Sequence, residues 1–325
     1  MNSKNNSVFP IIHFLLICTV SVSLLGAQEK ELSEKHYRIY SRAKKEVTVI
    51  EHMVDDCAHY DVIVLGEEHS DSVAHYLEHL LLEKLYNRYG ASIALSLEMF
   101  ERDVQVVLTE YIENKIEKKR FEKDARLWIN YKDYQPMVEF SKENGIDIIA
   151  ANAPFRYAHL ANARGQEFLE TLSKSSKSFF APLPCDTASG AYHDKLMNLK
   201  NLIPVSPVKD SLLPDGMKNK KMPSLMPTFD IIQGQSLWDA TMAHSAYRYL
   251  EENQGKKILH INGRMHSDEF FGIVQQLKHY NKKLKILVLS VFPEDSFPNT
   301  DFSQYDNLAD YIIVTDPSIP KTIKE

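Results

Sequence analysis

The stretch Asp61-Val-Ile-Val-Leu-Gly-Glu-Glu-His69 joins a short apolar run to a glycine and three ionisable residues. An unbroken apolar run rich in Val and Ile predicts a parallel strand that is covered on both faces. Similar runs follow along the chain, with helical patterns between them. They lie at 93–97, 146–150, 258–261, 284–289 and 311–314. This alternation predicts an α/β fold with a mainly parallel β-sheet and flanking helices.

The composition is that of an ordinary globular protein, and it excludes several function classes. The 325 residues are 44% hydrophobic and 25% charged, which excludes a collagen, a coiled coil or a disordered chain. Lys and Arg number 38 against 44 Asp and Glu, so the net charge is −6. A nucleic-acid binder carries a basic surplus, and this chain has none. We therefore expect no nucleic acid as a partner.

Residues 1–27 have the layout of a secretory signal peptide. Lys4 precedes the apolar run 8–25, and Gly26 and Ala27 provide small residues at a possible cleavage point. The run is short for a membrane-spanning helix and contains polar residues, so a retained anchor is the less favoured alternative. We expect an exported protein that resides in the periplasm, at the cell surface or at the outer membrane.

Residues 172–230 interrupt the alternation of strands and helices. Seven of the fourteen prolines lie within 182–227. The segment is far longer than a usual connection between sheet elements, which spans about 2–6 residues. We predict a small inserted helical or lid subdomain here, with one helix near 188–202, set into an α/β sheet domain formed by 28–171 and 231–325. A flexible surface loop is the alternative.

Polar residues follow four of the predicted strands at their carboxyl ends, where open α/β sheets bind ligands. Two of these strands are each followed by a Gly-x-x-His tetrapeptide, at Gly66–His69 and at Gly263–His266. Glycine is expected to let the chain turn sharply, so that each histidine faces the crevice. A hydrogen-bonded cluster with a purely structural role is the alternative. The expected site residues at this edge are Glu67, Glu68, His69, Glu98, Asn152 and His266.

A helical pattern before the fourth strand adds an acidic residue to this group. Gln235, Trp238, Asp239 and Met242 are spaced at i, i+3, i+4 and i+7, so they share one helix face. Trp238 and Met242 suit ordinary core packing, whereas a buried Asp239 needs a charged or hydrogen-bonding partner. We expect one of the two motif histidines to be that partner.

The run His75-Tyr-Leu-Glu-His79 matches the His-x-x-Glu-His pattern of zinc proteases. At about 100° per residue, the apolar side chains of this helix centre on one side. His75 and His79 point away from that side, toward the flank and the solvent. The pattern therefore favours a solvated helix face over a metal site.

Five motifs occur in order within residues 38–292. They are Val64-Leu-Gly-Glu-Glu-His69, Leu97-Glu-Met-Phe100, Ala150-Ala-Asn-Ala-Pro154, Gln235-Ser-Leu-Trp-Asp-Ala-Thr-Met-Ala243 and Ile261-Asn-Gly-Arg-Met-His266. This series resembles that of the ChaN-like haem-binding uptake family, which belongs with the Tiki/TraB and erythromycin-esterase-like proteins. The resemblance implies an exported or outer-membrane-associated protein of haem or iron uptake, with a homodimer and an outer-membrane haem receptor as expected partners.

The resemblance also implies how haem is held. Members bind a cofacial haem pair at the dimer interface, where a tyrosine of one subunit ligates iron and a histidine of the other supports it. The stretch from Leu183-Pro184 to Gly190-Ala-Tyr-His193 resembles the entry to the family's helical domain, which makes Tyr192 the candidate ligand. Tyr131, Tyr134 and Tyr157 are the alternatives. The haem-binding residues so expected are Tyr192, His193, Gln235, Trp238 and Met242.

The same resemblance leaves a hydrolase as the alternative to haem binding. Tiki proteins resemble metal-dependent proteases that use two Gly-x-x-His motifs and a strand-end glutamate. Carried over to this chain, His69, Glu98 and His266 would hold a divalent transition metal, and Glu67 or Glu68 would act as base on its bound water. The erythromycin-esterase relatives suggest instead a histidine that activates water without a metal. The substrate would be a peptide or an ester.

Overall fold

A computed structural model defines residues 31–202 and 231–323 of the protein. The predicted signal peptide, 1–27, lies outside these residues. So do the lysines and methionines of 217–226, which give the predicted subdomain its basic and apolar character. Within the defined residues, no helix has both the length and the apolar character needed to cross a membrane.

Eight strands form one sheet in the order β2-β1-β8-β7-β3-β6-β4-β5. The last six strands in this order run parallel, and β1 pairs antiparallel with both β2 and β8. The strands are Tyr37–Ser41 (β1), Glu46–Thr48 (β2), Val62–Glu67 (β3), Ile93–Glu101 (β4), Ile148–Asn152 (β5), Lys257–Gly263 (β6), Ile286–Pro293 (β7) and Tyr311–Thr315 (β8). The predicted α/β class and the six predicted apolar strands are confirmed.

Helices cover both faces of the sheet. They are Ile50–Asp56 (α1), Ser72–Tyr89 (α2), Gln105–Ile112 (α3), Lys118–Asp124 (α4), Tyr131–Asn144 (α5), Phe155–Arg164 (α6), Gln166–Leu169 (α7), Lys174–Lys177 (α8), Gly190–Leu202 (α9), Ile231–Glu252 (α10) and Ile273–Tyr280 (α11). The predicted helix near 188–202 is confirmed as α9. The division into an inserted subdomain and a sheet domain stays a prediction.

Alternate residues of β3 show how the two layers are built. Ile63 and Leu65 pack with α2 and α5 on one face, whereas Val62 and Val64 pack with α10 and α11 on the other. Every residue of β3 is buried, because both of its faces are covered by helices. Apolar burial on both faces stabilises the sheet and leaves the carboxyl ends of its strands as the place where polar groups gather.

Candidate functional site

The two Gly-x-x-His motifs begin side by side because β3 and β6 are neighbouring parallel strands. Their register pairs Glu67 with Gly263. On the other side of β6, Leu97 of β4 pairs with Ile261, so Glu98 emerges beside the second motif. The sheet thus brings together, at one edge, residues that lie up to about 200 positions apart in the chain.

The carboxyl ends of these strands open into a cleft of about 710 Å³. Small-molecule sites usually measure about 300–1,000 Å³, so the cleft has the size of a binding site. Its apolar wall includes Trp128, Phe155, Trp238, Met265 and Leu308. The sequence-predicted residues that line it are Glu67, Glu68, His69, Glu98, Asn152, Gln235, Trp238 and His266.

The first motif places a histidine at the rim of the cleft. His69 Nδ1 lies 2.9 Å from Glu67 Oε1, which also accepts a hydrogen bond of 2.7 Å from the Tyr134 hydroxyl. The His69 side chain is 38% exposed, whereas that of Glu67 is fully buried. Burial alone would lower the pKa of His69, but the hydrogen bond to Glu67 and the charge of Glu98 raise it to about 9. His69 is therefore a cation at neutral pH.

The second motif places its histidine deeper. His266 Nδ1 lies 2.6 Å from Asp239 Oδ1, and Asp239 Oδ2 accepts a 2.7 Å hydrogen bond from the Tyr192 hydroxyl. All three residues are buried. Burial alone would lower the pKa of His266, but the charges of Glu98 and Asp239 raise it. The expected pairing of Asp239 with a motif histidine is confirmed, and His266 is the partner.

Glu98 joins the two motifs. Its Oε2 accepts a 2.7 Å hydrogen bond from the backbone N–H of Gly263, and its Oε1 lies 3.6 Å from His266 Nε2. Because its carboxylate is buried beside both histidines, it supplies negative charge that stabilises their protonated forms.

The motif glycines are needed for close packing rather than for unusual backbone angles. A Cβ on Gly66 would lie 2.6 Å from Ser267 Oγ and 2.8 Å from Arg264 Cα, and a Cβ on Gly263 would lie 2.6 Å from His69 Nε2. Gly263 has φ −58°, which any residue adopts. The sequence-based reason, a sharp turn, is therefore wrong for Gly263. Each glycine leaves room for the other motif.

The haem-binding residues expected from the resemblance lie in four different places. Gln235 and Trp238 line the cleft, whereas Met242 is fully buried in the core between α10 and the sheet. The His193 side chain is 45% exposed and lies beside Asp194. Tyr192 lines a neighbouring polar cleft of about 370 Å³. Burial and the charge of Asp239 hold the pKa of Tyr192 well above its usual value of 10.

The ligand atoms of His69, Glu98 and His266 do not all lie within 4.8 Å of one another, and a metal held by these three residues stays a prediction. Within 31–202 and 231–323, the one group whose ligand atoms lie within 4.8 Å of one another is Glu67, His75 and Glu78. The prediction that His75 points away from the buried side of its helix is wrong: His75 is 6% exposed and contacts Glu67. Helix α5 covers the face of α2 that the sequence pattern left to solvent. His79 is partly exposed, as expected.

The contacts of Tyr134, His75 and Glu78 with Glu67 and its surroundings were not predicted from the sequence, although Tyr134 was an alternative haem ligand and the His75–His79 run was weighed as a zinc pattern. Tyr134 reaches Glu67 from α5, and no local pattern marks such a long-range contact. For His75 and Glu78 a signal did exist, because their spacing in the His-x-x-Glu-His run puts both on one side of a helix.

This is an α/β protein with a ligand-sized cleft at the carboxyl ends of its parallel strands, and the cleft contains two histidine–carboxylate pairs. The model of a family described as "Haem-binding uptake, Tiki superfamily, ChaN" matches residues 53–277, which is more than half of the chain. The chain belongs to this family. The resemblance drawn from its five sequence motifs is therefore confirmed.

A structure of cofacial heme binding to ChaN of Campylobacter jejuni is similar in fold, with a TM-score of 0.62 and 17% identity. The similarity covers 87% of this chain and 98% of that one. An erythromycin esterase mutant in its open conformation has a TM-score of 0.44 and 10% identity to this chain. The alignment covers 87% of this chain and 99% of the esterase.

A curated relative, the chloroplastic protein RETICULATA-RELATED 5 of Arabidopsis thaliana, is 24% identical over 92 residues. The match covers 28% of this chain and spans only 12% of that protein.

Proposed function

We propose that this protein is an exported haem-binding protein of haem or iron uptake. The observation that carries the proposal is the family match over 53–277, together with a cleft of suitable size and lining. The wall formed by Trp128, Phe155 and Trp238 suits a flat apolar macrocycle. Lys195 and Arg264 lie at the same cleft, where cations would attract propionate groups.

Tyr192 is the iron ligand in this proposal. It lines the neighbouring polar cleft and is only 2% exposed, so we expect haem binding to displace α9 and bring the phenol to the iron. A phenolate is an anionic axial ligand for ferric haem. The elevated pKa of Tyr192 keeps it a phenol in the haem-free protein, and its hydroxyl already donates to Asp239. Asp239 therefore accepts the proton that the phenol must release, and His266 shares the resulting hydrogen-bonded network. Tyr134 lines neither of the two clefts, whereas Tyr192 lines the polar one, which makes Tyr134 the poorer candidate ligand.

The proposal includes a homodimer in which His193 of one subunit supports haem held by Tyr192 of the other. Both residues lie in the first turn of α9, and the His193 imidazole is exposed enough to meet a second copy of the chain. Export through residues 1–27 and delivery by an outer-membrane haem receptor complete the proposed pathway.

A haemin titration of residues 28–325, followed by absorbance and size-exclusion chromatography, tests this function. We expect a saturable, red-shifted Soret band, a phenolate charge-transfer band and a shift to a dimer. Tyr192→Phe should remove the charge-transfer band, whereas Tyr157→Phe and His69→Ala should preserve it. Absence of a specific Soret band in the unaltered protein would reject haem binding, and an unchanged Tyr192→Phe spectrum would reject this ligand.

The buried Asp239–His266 pair favours a second candidate function, hydrolysis without a metal. A carboxylate that holds one imidazole nitrogen directs the other toward a substrate or water, as general acid–base catalysis requires. His266 Nε2 faces the cleft beside Glu98. Turnover of aryl esters that is lost in His266→Gln while haemin binding persists would favour this candidate. Equal slow turnover in both proteins would dismiss it.

A further inference from the structure

Three ionisable side chains meet in the protein interior beneath the cleft. Glu67 comes from the end of β3, and His75 and Glu78 come from the first two turns of α2. Their exposed fractions are 1%, 6% and 0%. Ionisable groups are costly to bury without partners, so this cluster needs a compensating interaction.

The spacing of the three groups matches the first coordination shell of a metal ion. His75 Nδ1 lies 3.2 Å from Glu67 Oε2 and 3.2 Å from Glu78 Oε2. Nitrogen and oxygen ligands lie about 2.0–2.2 Å from Zn²⁺, which places neighbouring ligand atoms roughly 3.0–3.5 Å apart. Both nitrogen–oxygen distances already have this ligand-to-ligand spacing, and all three ligand atoms lie within 4.8 Å of one another.

The imidazole of His75 directs Nδ1, the nitrogen that can bind a metal, toward the two carboxyl groups. Its Nε2 lies 3.2 Å from the carbonyl oxygen of His69, an acceptor, so Nε2 carries the hydrogen. In the neutral ring, the lone pair of Nδ1 then points at the two carboxylates. A backbone carbonyl that holds the second nitrogen is the usual arrangement for a metal-bound histidine.

Two oxygen atoms of the cluster have no hydrogen-bond donor, and the two carboxyl groups that carry them contact each other closely enough to share a proton. These atoms are Glu67 Oε2 and Glu78 Oε1, and both belong to fully buried carboxyl groups. Burial, and for Glu67 the charge of Glu78, raises the pKa of each carboxyl to about 7. Two carboxylates and a divalent cation form a neutral group, which removes the cost of burying their charges.

We propose that Glu67, His75 and Glu78 bind a divalent first-row transition metal ion, with Zn²⁺ as the representative species. This site shares Glu67 with the lining of the cleft, but it does not depend on haem binding. Its effect on the cleft passes through Glu67, because Oε2 faces the metal position while Oε1 holds His69 and Tyr134. The metal would fix that carboxylate and so orient the rim histidine.

Metal analysis of the purified, haem-free full chain from zinc-supplemented cultures tests the proposal. We expect about one equivalent of Zn²⁺ per chain, as in tightly held structural sites. Glu78→Gln and His75→Gln, which preserve side-chain size, should reduce the zinc content at least about tenfold. His79→Gln is the matched control on the same helix, and His266→Gln is the control in the cleft. Both should retain the metal.

The cobalt-substituted unaltered chain gives an independent readout if a variant fails to fold. We expect visible ligand-field bands and an X-ray absorption spectrum that shows a single imidazole with oxygen ligands. Unaltered protein free of zinc and cobalt would overturn the proposal and assign the cluster to protons shared by imidazole and carboxyl groups. So would full metal content in Glu78→Gln, or metal loss in His266→Gln. Haem binding is read separately from the Soret band, so either proposal can fail alone.

Discussion

The motifs Gly66–His69 and Gly263–His266 have the same sequence pattern, lie on neighbouring parallel strands and hold their histidines in different ways. His69 is 38% exposed and pairs with a carboxylate of its own strand, whereas the side chain of His266 is 7% exposed and pairs with a carboxylate from α10. Solvent therefore partly stabilises the positive charge of His69, whereas only protein groups stabilise that of His266. The same four-residue pattern therefore specifies a position at the sheet edge, while neighbouring elements determine its chemistry.

Removing each motif histidine provides the strongest test of this difference. His266→Ala leaves the buried carboxylate of Asp239 without its cation, which should cost about 3–5 kcal/mol of unfolding free energy. His69→Ala should cost about 1 kcal/mol or less, because the charge of His69 is partly solvated and the Glu67 carboxyl, whose pKa is raised to about 7, can bind a proton instead. Urea denaturation at neutral pH measures both. Equal losses would show that the two environments are energetically equivalent.

For the two motif glycines the expected order is reversed, because substitution in the first motif should destabilise the fold more than substitution in the second. A Cβ on Gly66 meets backbone atoms of Arg264, which cannot move independently, so Gly66→Ala should destabilise the fold by about 1–3 kcal/mol. A Cβ on Gly263 meets the half-exposed ring of His69, which can rotate away. Gly263→Ala should therefore cost less than about 1 kcal/mol while displacing His69. Thermal unfolding measures the stabilities, and histidine NMR shifts report the displacement. A larger loss for Gly263→Ala would contradict the packing argument.

His260 is a buried histidine that, unlike His69 and His266, has no carboxylate partner within the residues that the structure defines. It lies on β6, just before the second motif, and contacts Ser96. Burial and the charge of His266 lower its pKa to about 3. The unfolded chain binds this proton below a pKa of about 6.5, so the contribution of His260 to stability is complete above that pH. It decreases toward pH 3, by at most about 1.4 kcal/mol per pH unit.

Denaturation of the unaltered protein and His260→Gln between about pH 7 and pH 5 tests this effect. The variant should lose less stability than the unaltered protein as the pH falls. Parallel curves for the two proteins would mean that the pKa of His260 is the same in the folded and the unfolded chain, which would contradict the lowered value.

The sequence was sufficient for the six parallel strands and for the edge where polar residues gather, but not for the two antiparallel strands β1 and β2. Apolar runs marked six strands, and the residues that follow them identified Glu67, His69, Glu98 and His266 without any knowledge of pairing. Strand β1 was missed although its alternating burial is typical of an antiparallel strand. Its pairing at the edge of a parallel sheet has no counterpart in the repeated strand–helix pattern.

The partners of those residues were harder to predict because they depend on helix packing. Asp239 was placed beside a motif histidine, but which one followed only from the position of α10. His75 was assigned to a solvated face because helical periodicity locates one apolar side, whereas α2 packs against both the sheet and α5. A helix covered on two sides can bury polar residues that its own sequence pattern appears to expose.

Removing the exposed ion pair between the two motifs should change the unfolding free energy least. Arg264 Nη1 lies 3.4 Å from Glu68 Oε1, and the Glu68 side chain is 49% exposed. Glu68→Gln should change the unfolding free energy by less than about 0.5 kcal/mol, because solvent screens the pair and Arg264 retains its 2.8 Å contact with Asp268. Urea denaturation at low and high salt measures the change. A loss above about 1 kcal/mol would mean that this exposed pair couples the two motifs despite solvent screening. If haem propionates bind at this rim, the freed Arg264 charge should also tighten haemin binding at low salt, and weakened binding would place the propionates elsewhere.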